Sequence, residues 1–536
     1  MKSDRTEVRP PNILLVVTDQ QRGDCLSIED HPVVQTPAID ALSREGVRFR
    51  SAYSACPICI PARRTLMSGQ RPATHGVVFN YDTPLDTATL PQALADAGYH
   101  THLAGKLHLY PVRKHYGFHS MDLADGFGSG PFNERANDHH RHLARQGVDL
   151  TDDTAGAHGV GGNSWNARPW HLDEQLHHTN WCVSRAIEFL QRRDPTRPFF
   201  LNVGFIMPHP PCIPPQHYHD RYAAMNLPEP VCGEWARLYD APQAGFPLNM
   251  AGDTRLCLHP AMNHQLRAAY YACINHVDDQ IARLLRWIPQ NTVIVFCSDH
   301  GEMLGDHQFF GKLVPYEPSA RVPLVMRFPP SMGLPTDWAC DQPVELMDIM
   351  PTLLEVAGAP IPDSVEGRSV LALLKGGGPW RDYIHGECSR VCGLNSGVHY
   401  LTDGRWKYIW WPGLGREQLF DLKNDPQELN DLAHRDTEQK RLDEWRLRLA
   451  HELTGRPEGF VDSHGMLRRL EGPTTYCLPG FECDDHDMPT LHPDHPPLGF
   501  QQHPGLGRRD APTSTTSHHR PTAAAPSSHA VADSAG

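Results

Sequence analysis

Three short apolar runs, each halted by a polar residue, constrain this chain more than any other feature. "NILLVVTD" stops at Asp19, "PFFLNVGFIMPH" at His209, and "NTVIVFCSDH" at Asp299-His300. Runs of Ile, Val, Leu and Phe this short, apolar on both faces, read as strands of a parallel sheet covered on both sides. Segments with helical spacing lie between them. "TPAIDALSREGV" opens on Thr-Pro and stops at Gly46, and Gln265 to Ile288 leads directly into the strand at Thr292. Strands alternating with helices give an α/β domain with helices on both faces of the sheet. In such folds ligands bind beyond the carboxyl ends of the strands. Asp19, His209, Asp299 and His300 all fall at that edge.

After about residue 375 the pattern changes. "VHYLTDGRWKYIWWPG" alternates and turns like a hairpin at Asp403-Gly404, and "TEQKRLDEWRLRLAHEL" reads as an amphipathic helix. The expected organisation is a catalytic domain over 1–375, a smaller α+β domain over 376–472, and a tail over 473–536. The tail is rich in Pro, His, Ser, Thr and Ala, and is expected to be disordered because it holds too few large apolar residues to offset its ordering entropy.

The formal net charge of −14 advertises no basic surface for nucleic acid or an anionic membrane, so an anionic substrate needs a local positive site. The 14 cysteines are spread without regular spacing over 536 residues, which argues against a disulfide framework. The first residues, "MKSDRTEVRPPNILLVVTD", carry acids and prolines where a signal peptide has a basic stretch and an apolar core. No uncharged apolar run reaches the roughly 18 residues that a membrane span needs. The expected location is the cytoplasm.

Asp19-Gln20 and Asp299-His300 supply two carboxylates, an amide oxygen and an imidazole. Oxygen-rich sites favour Ca²⁺ or Mg²⁺, and an added imidazole moves the preference toward Mn²⁺ or Zn²⁺. Either pair alone reads as a strand exit; both on one sheet read as a metal site.

"CPICIPARRTLMSGQ" offers two cysteine chemistries. Cys56 and Cys59 form a C-x-x-C pair, a redox or zinc signature, whereas Cys59, Pro61 and Arg63 form C-x-P-x-R. Pro61 suits a first helical turn, and the helix can run to Gly69. Cys59 then stands at a helix N-terminus, where free N–H groups favour an anion, and Arg63 lies one turn on. The redox reading wants the same position, so position does not separate the two. Lys106 and His108 in "AGKLHLYP" are alternate residues that would share one face of an extended segment. His209 is framed by prolines, and Lys312 follows the second metal pair. Together these groups would form an electropositive pocket suited to moving a phosphoryl or sulfuryl group, whose oxygens need several fixed positive partners.

Carrying these residues, the chain resembles the type I sulfatases, the formylglycine-dependent members of the alkaline phosphatase superfamily. The likeness runs in order through "PNILLVVTDQQRGD", "TPAIDALSREGVRF", "CPICIPARRTLMSGQRPATHG", "GYHTHLAGKLH", "SDHGEMLGDHQFFGK", "DIMPTLLEVAG" and "LFDLKNDPQELNDLA", about residues 12–433. It implies a large mixed, mostly parallel sheet flanked by helices, with a smaller C-terminal α+β domain. It also implies hydrolysis of a small sulfate ester to an alcohol and inorganic sulfate, with one divalent metal, Ca²⁺ or Mn²⁺.

By the same resemblance Cys59 is oxidised to formylglycine by a sulfatase-modifying enzyme that reads Pro61 and Arg63, and Arg63 later holds the aldehyde hydrate. One hydroxyl of the hydrate attacks sulfur and displaces the alcohol. Deprotonation of the other then expels sulfate as the aldehyde re-forms. The metal slots fall on Asp19, Gln20, Asp299, His300 and the modified Cys59. Lys106 and His108 flank the hydrate, with His108 as base, while His209 and Lys312 hold the sulfate and protonate the leaving oxygen. Asn80 resembles a substrate contact. Gln20 and His300 stand where many members carry Asp and Asn, and resemble instead the choline-sulfatase and phosphonate monoester hydrolase branch. A phosphonate monoester or phosphodiester hydrolase is therefore the alternative, and a non-catalytic binding protein is disfavoured because every catalytic slot is filled. Partners beyond substrate and modifying enzyme are confined to further copies of the chain. The segment Asp153 to Gln175, with Trp165, Arg168, Trp170 and His171, is the candidate specificity loop.

Overall fold

The computed structural model describes residues 9–125, 137–148, 165, 167–236, 253–255, 258–389 and 397–470. These all belong to one compact unit, Met1–Pro496. The tail expected over 473–536 lies outside the described residues, as do 153–164 and 166 of the candidate specificity loop.

An eight-stranded sheet forms the centre. Its strands are β1 (Asn12–Asp19), β2 (Val47–Phe49), β3 (His100–Gly105), β4 (Ser120–Leu123), β5 (Phe199–Pro208), β6 (Thr292–Ser298), β7 (Leu324–Arg327) and β8 (Trp338–Cys340). The spatial order is β8-β2-β7-β6-β1-β5-β3-β4. β7 runs antiparallel to β2 and β6, and the other pairings are parallel. The three apolar runs of the sequence are thus the three adjacent central strands.

The helices that cover the sheet are α1 (Pro37–Arg44), α2 (Cys59–Ser68), α3 (His178–Arg192), α4 (Pro260–Leu285) and α5 (Ile349–Ala357). Successive strand residues face opposite sides. Leu14, Val16, Leu201 and Phe296 therefore pack with Ile39 of α1, Val183 of α3 and Ile274 of α4. Ile13, Leu15, Val17 and Val295 pack on the other side with Leu66 of α2 and Leu353 of α5. Each such side chain contributes about 1.5–3 kcal/mol by leaving water. α4 begins five residues before the expected Gln265, because Pro260 takes its first turn and His259 Nδ1 accepts from the Ala261 amide at 3.3 Å. Among the described residues no helix is long and apolar enough to cross a membrane.

The C-terminal part is a four-stranded antiparallel sheet of β9 (Ile384–Cys388), β10 (Val398–Thr402), β11 (Trp406–Trp411) and β12 (Arg416–Asp421). Asp403-Gly404 makes the expected turn: Gly404 has φ 86°, and Asp403 Oδ1 accepts from the Arg405 and Trp406 amides at 2.8 and 2.6 Å. Helix α6 (Gln439–Leu453) lays Leu442, Trp445, Leu449 and Leu453 into the cluster built on this sheet.

Candidate active site

The register of the central strands sets the geometry. Thr18 pairs with Ser298, so Asp19 and Asp299 leave β1 and β6 side by side, and the Asp299 amide donates to Thr18 O at 3.2 Å. Gln20 follows with φ 67°, a left-handed conformation costly for a residue with a side chain. Two side chains hold it there: its amide donates to Asp299 Oδ1 at 3.1 Å, and Tyr270 Oη donates to its carbonyl at 2.6 Å. Cys59 opens α2, all of whose residues are buried, and Gly69 ends it in the left-handed conformation. Asn80 Oδ1 accepts from the Ile60 amide at 2.9 Å, so Asn80 sits beside Cys59 and occupies one of the free N–H groups of that first turn.

Lys106 follows Gly105, where a Cβ would meet Gly204 O at 2.0 Å, so only glycine lets β3 approach β5 this closely. The expected extended alternation of Lys106 and His108 is not what brings them together. β3 has ended and His108 has φ 56°, with its amide donating to Asp125 Oδ1 at 2.9 Å. That turn, rather than a shared strand face, carries the His108 ring to hydrogen-bonding reach of Cys59.

The sequence-derived residues converge on one atom. Cys59 Sγ lies 3.1 Å from Lys312 Nζ, 3.3 Å from His300 Nε2 and 3.7 Å from Asp19 Oδ1. Arg63 Nε donates to Asp299 Oδ2 at 2.8 Å and its guanidinium reaches Asp19 Oδ2 at 3.6 Å, while Lys106 Nζ pairs with Asp19 Oδ2. Lys312 Nζ also donates to Gln20 Oε1 and His209 Nε2, both at 2.8 Å. His209 Nδ1 lies 2.6 Å from Pro210 O and His300 Nδ1 lies 3.0 Å from Gly301 O. In each ring Nδ1 is thereby tied to a carbonyl and Nε2 faces inward.

Charge follows from this packing. Burial pushes the Cys59 thiol up, but Lys312, Lys106 and His300 outweigh it and hold the thiol well below its ordinary value. Burial also works against Asp19 ionisation; Lys106 and Arg63 reverse that and keep its carboxyl well below the usual carboxylate range. His209 is held down by burial and by Lys312, which keeps it neutral as an acceptor.

The donor set fits a divalent cation. Ligand atoms of Asp19, Cys59, Asp299 and His300 all lie within 4.8 Å of one another, and all four residues are buried. His300 Nε2 is 3.5 Å from Asp19 Oδ1 and 3.6 Å from Asp299 Oδ1. A carbonyl partner on the far nitrogen is the usual way a ligating imidazole is oriented.

Cys56 turns away from this centre. Its Sγ meets Cys388 Sγ of β9 at 3.3 Å, so the C-x-x-C spacing does not put two sulfurs together. Sequence reasoning missed three residues. Glu302 is buried beside Gln20, Tyr270 holds the Gln20 carbonyl, and Arg22 ties "QQRGD" to Asp306 at 2.8 Å. A charged residue kept inside "SDHGEML", next to a presumed metal pair, was the available signal for Glu302.

A small cleft of about 30 Å³ adjoins Lys312 and Gln20; Trp165, Leu266, Leu304, Phe310 and Tyr270 form its apolar wall. Of the two loop tryptophans, Trp165 faces this cleft, while Trp170 is buried in the core and donates to Asp173 O at 3.1 Å.

Comparison with known proteins gives the family and the fold. The family model described as Sulfatase matches residues 11–359, and one described as N-sulphoglucosamine sulphohydrolase, C-terminal, matches 305–454. The chain is 40% identical over 488 residues to an arylsulfatase of Clostridium perfringens, covering 85% of this chain and 97% of that one. It is 30% identical over 498 residues to a multifunctional alkaline phosphatase superfamily protein of Trinickia caryophylli, covering 81% and 95%. The solved phosphonate monoester hydrolase of Agrobacterium radiobacter superposes with a TM-score of 0.69 at 27% identity, over 82% of this chain and 95% of that one.

Proposed function

The chain belongs to the sulfatase family and is a sulfuric ester hydrolase; on that premise we propose that Cys59 is the precursor of a formylglycine nucleophile working beside one divalent metal. The observation that carries this reading is the convergence of Lys312, His300 and Asp19 on Cys59 Sγ at the start of α2. A structural cysteine gains nothing from so many charged neighbours, whereas a reacting centre needs them fixed in advance.

Asp19, Asp299 and His300 hold the metal, with Gln20 Oε1 as a further neutral oxygen. The imidazole nitrogen in this set favours Mn²⁺ over Ca²⁺. The metal supplies a fixed positive charge for the developing anion, and the aldehyde hydrate of residue 59 supplies two hydroxyls on one carbon. The protein's own groups do the rest. Lys312 and Lys106 bring positive charge to the sulfate oxygens, and Arg63 holds Asp299 in place from one helical turn away. Lys312 also donates to His209 Nε2, which forms a relay for delivering a proton to the leaving alcohol oxygen. His108, within reach of residue 59, accepts the proton when sulfate departs.

The apolar wall of Trp165, Leu266 and Phe310 beside Lys312 supports an ester whose alcohol is flat and apolar, such as a phenol. The likeness to a phosphonate monoester hydrolase, together with Gln20 and His300, makes phosphonate monoesters the comparison substrates. Mass spectrometry of the Ser51–Arg63 peptide from the native host tests the nucleophile. The expected result is the mass deficit of a thiol-to-aldehyde conversion at Cys59; a thiol only, in active enzyme, overturns it.

A further inference from the structure

Glu302 has no place in the chemistry described so far, yet its carboxylate is buried against the metal and sulfate end of the site. Its Oε1 accepts from the backbone amides of Leu304 at 2.9 Å and Gly311 at 2.5 Å. Its Oε2 accepts from the side-chain amide of Gln20. On the other side of Gln20, Lys312 Nζ donates to Oε1 at 2.8 Å.

A glutamine side chain presents an oxygen or a nitrogen depending on a half-turn of its amide, and nothing in the residue itself selects one. Here the two flanking groups select it. A carboxylate already holding two N–H donors offers only acceptance, and an ammonium offers only donation. The arrangement with Nε2 toward Glu302 and Oε1 toward Lys312 satisfies both, while the flipped amide would set oxygen against oxygen and N–H against N–H.

We infer that Glu302 is a positioning residue that orients the Gln20 amide, so that a neutral oxygen rather than an N–H group faces Lys312 and the metal. It also lines the cleft beside Lys312, but its effect on the metal passes through Gln20, whose side-chain amide it holds. Where a carboxylate at position 20 would present oxygen in either orientation, a glutamine needs a second residue to do so, and Glu302 is that residue. The inference rests on the metal reading above.

The test reverses the donor and acceptor. In Glu302→Gln the new amide can still accept from Leu304 and Gly311 through its oxygen, but it offers N–H toward Gln20 and drives that amide to flip. Mn²⁺ alone is titrated into chelator-treated enzyme and followed by the electron paramagnetic resonance of free Mn²⁺. Affinity is expected to fall about 10–100-fold, the usual cost of losing an outer partner of a metal ligand. In turnover kcat should fall with KM little changed, and the melting temperature should stay near that of the parent. The exchange Gln20→Glu with Glu302→Gln restores the pairing with its polarity reversed and is expected to recover most of the Mn²⁺ affinity. Glu302→Asp, still an acceptor, should keep more affinity than Glu302→Gln and serves if the latter does not fold. Unchanged Mn²⁺ affinity in Glu302→Gln, or an exchange variant no better than the single one, overturns the inference. A parent enzyme that binds no Mn²⁺ overturns the metal reading itself.

Discussion

Lys312 and Lys407 are both buried, but they direct their charge differently. Lys312 has as hydrogen-bond partners an amide oxygen, an imidazole and the Cys59 sulfur. Lys407 of β11 lies 2.6 Å from Glu317 and 3.0 Å from Glu428, donates to Pro315 O at 2.9 Å, and sits over the rings of Tyr53 and Tyr400. Two carboxylates neutralise Lys407, so the junction with the C-terminal sheet is electrically closed. Among the described residues no carboxylate is a hydrogen-bond partner of Lys312, and its charge remains directed at the reacting centre. Burial of a lysine therefore says little by itself; what its protons point at decides between clamp and catalyst.

The contrast can be broken in several ways. The largest expected effect is Cys59→Ala, which leaves no heteroatom on Cβ to convert to the aldehyde; steady-state turnover of an aryl sulfate should drop on the order of 10⁴-fold or more with an unchanged melting temperature. Lys407→Met should do the reverse. It leaves Glu428 buried without its cation, while Glu317 keeps Arg321 at 3.1 Å, and costs about 3–5 kcal/mol of stability by denaturant titration, with kcat per folded molecule near that of the parent. Lys312→Ala is expected to lower kcat/KM about 10²–10³-fold with little loss of stability, and a comparable fall in melting temperature would erase the distinction. Trp165→Ala should raise KM for aryl sulfates by about 3–10-fold and leave a short alkyl sulfate nearly unaffected, since it removes only an apolar wall.

The finest test is the sign of a pH dependence. Burial raises the Glu428 carboxyl from 4.5 to about 7, with Lys407 pulling down and Glu317 pushing up. A raised folded value means that the stability contributed by this group is fully present below pH 4.5 and is lost as pH rises through 7. Glu428→Gln should flatten that decline in melting temperature between pH 4.5 and 7. Asp19, held below its ordinary value, contributes in the opposite sense: its share is present above about pH 3.8 and is lost on acidification.

The sequence showed much of this site for a local reason. A buried strand announces its own end, so Asp19, His209, Asp299 and His300 could be read from where apolar runs stop, and Pro61 with Gly69 bracketed the helix that carries Cys59. Other features depended on contacts no local pattern encodes. Tyr270 reaches Gln20 across 250 residues and Glu302 across 282. Cys56 has its partner 332 residues away in the other sheet, which is why its spacing from Cys59 misleads. Lys106 and His108 reach the site together, but through a left-handed turn that alternation could not foresee. Trp165 and Trp170 carry the same local signal, and only packing assigns one to the cleft and the other to the core.

The burial of α2 also sets an order of events in the cell. Cys59 is 2% exposed, and every residue from Cys59 to Ser68 is packed inside the protein, including the proline and arginine of C-x-P-x-R. An enzyme that reads this stretch as an extended peptide has no access to it once the sheet and helices have closed. Under the proposed conversion the window for activation ends when folding does, so each molecule's competence is decided at birth. Protein matured without the modifying enzyme would remain a well-folded, inert pool that later supply of that enzyme could not awaken.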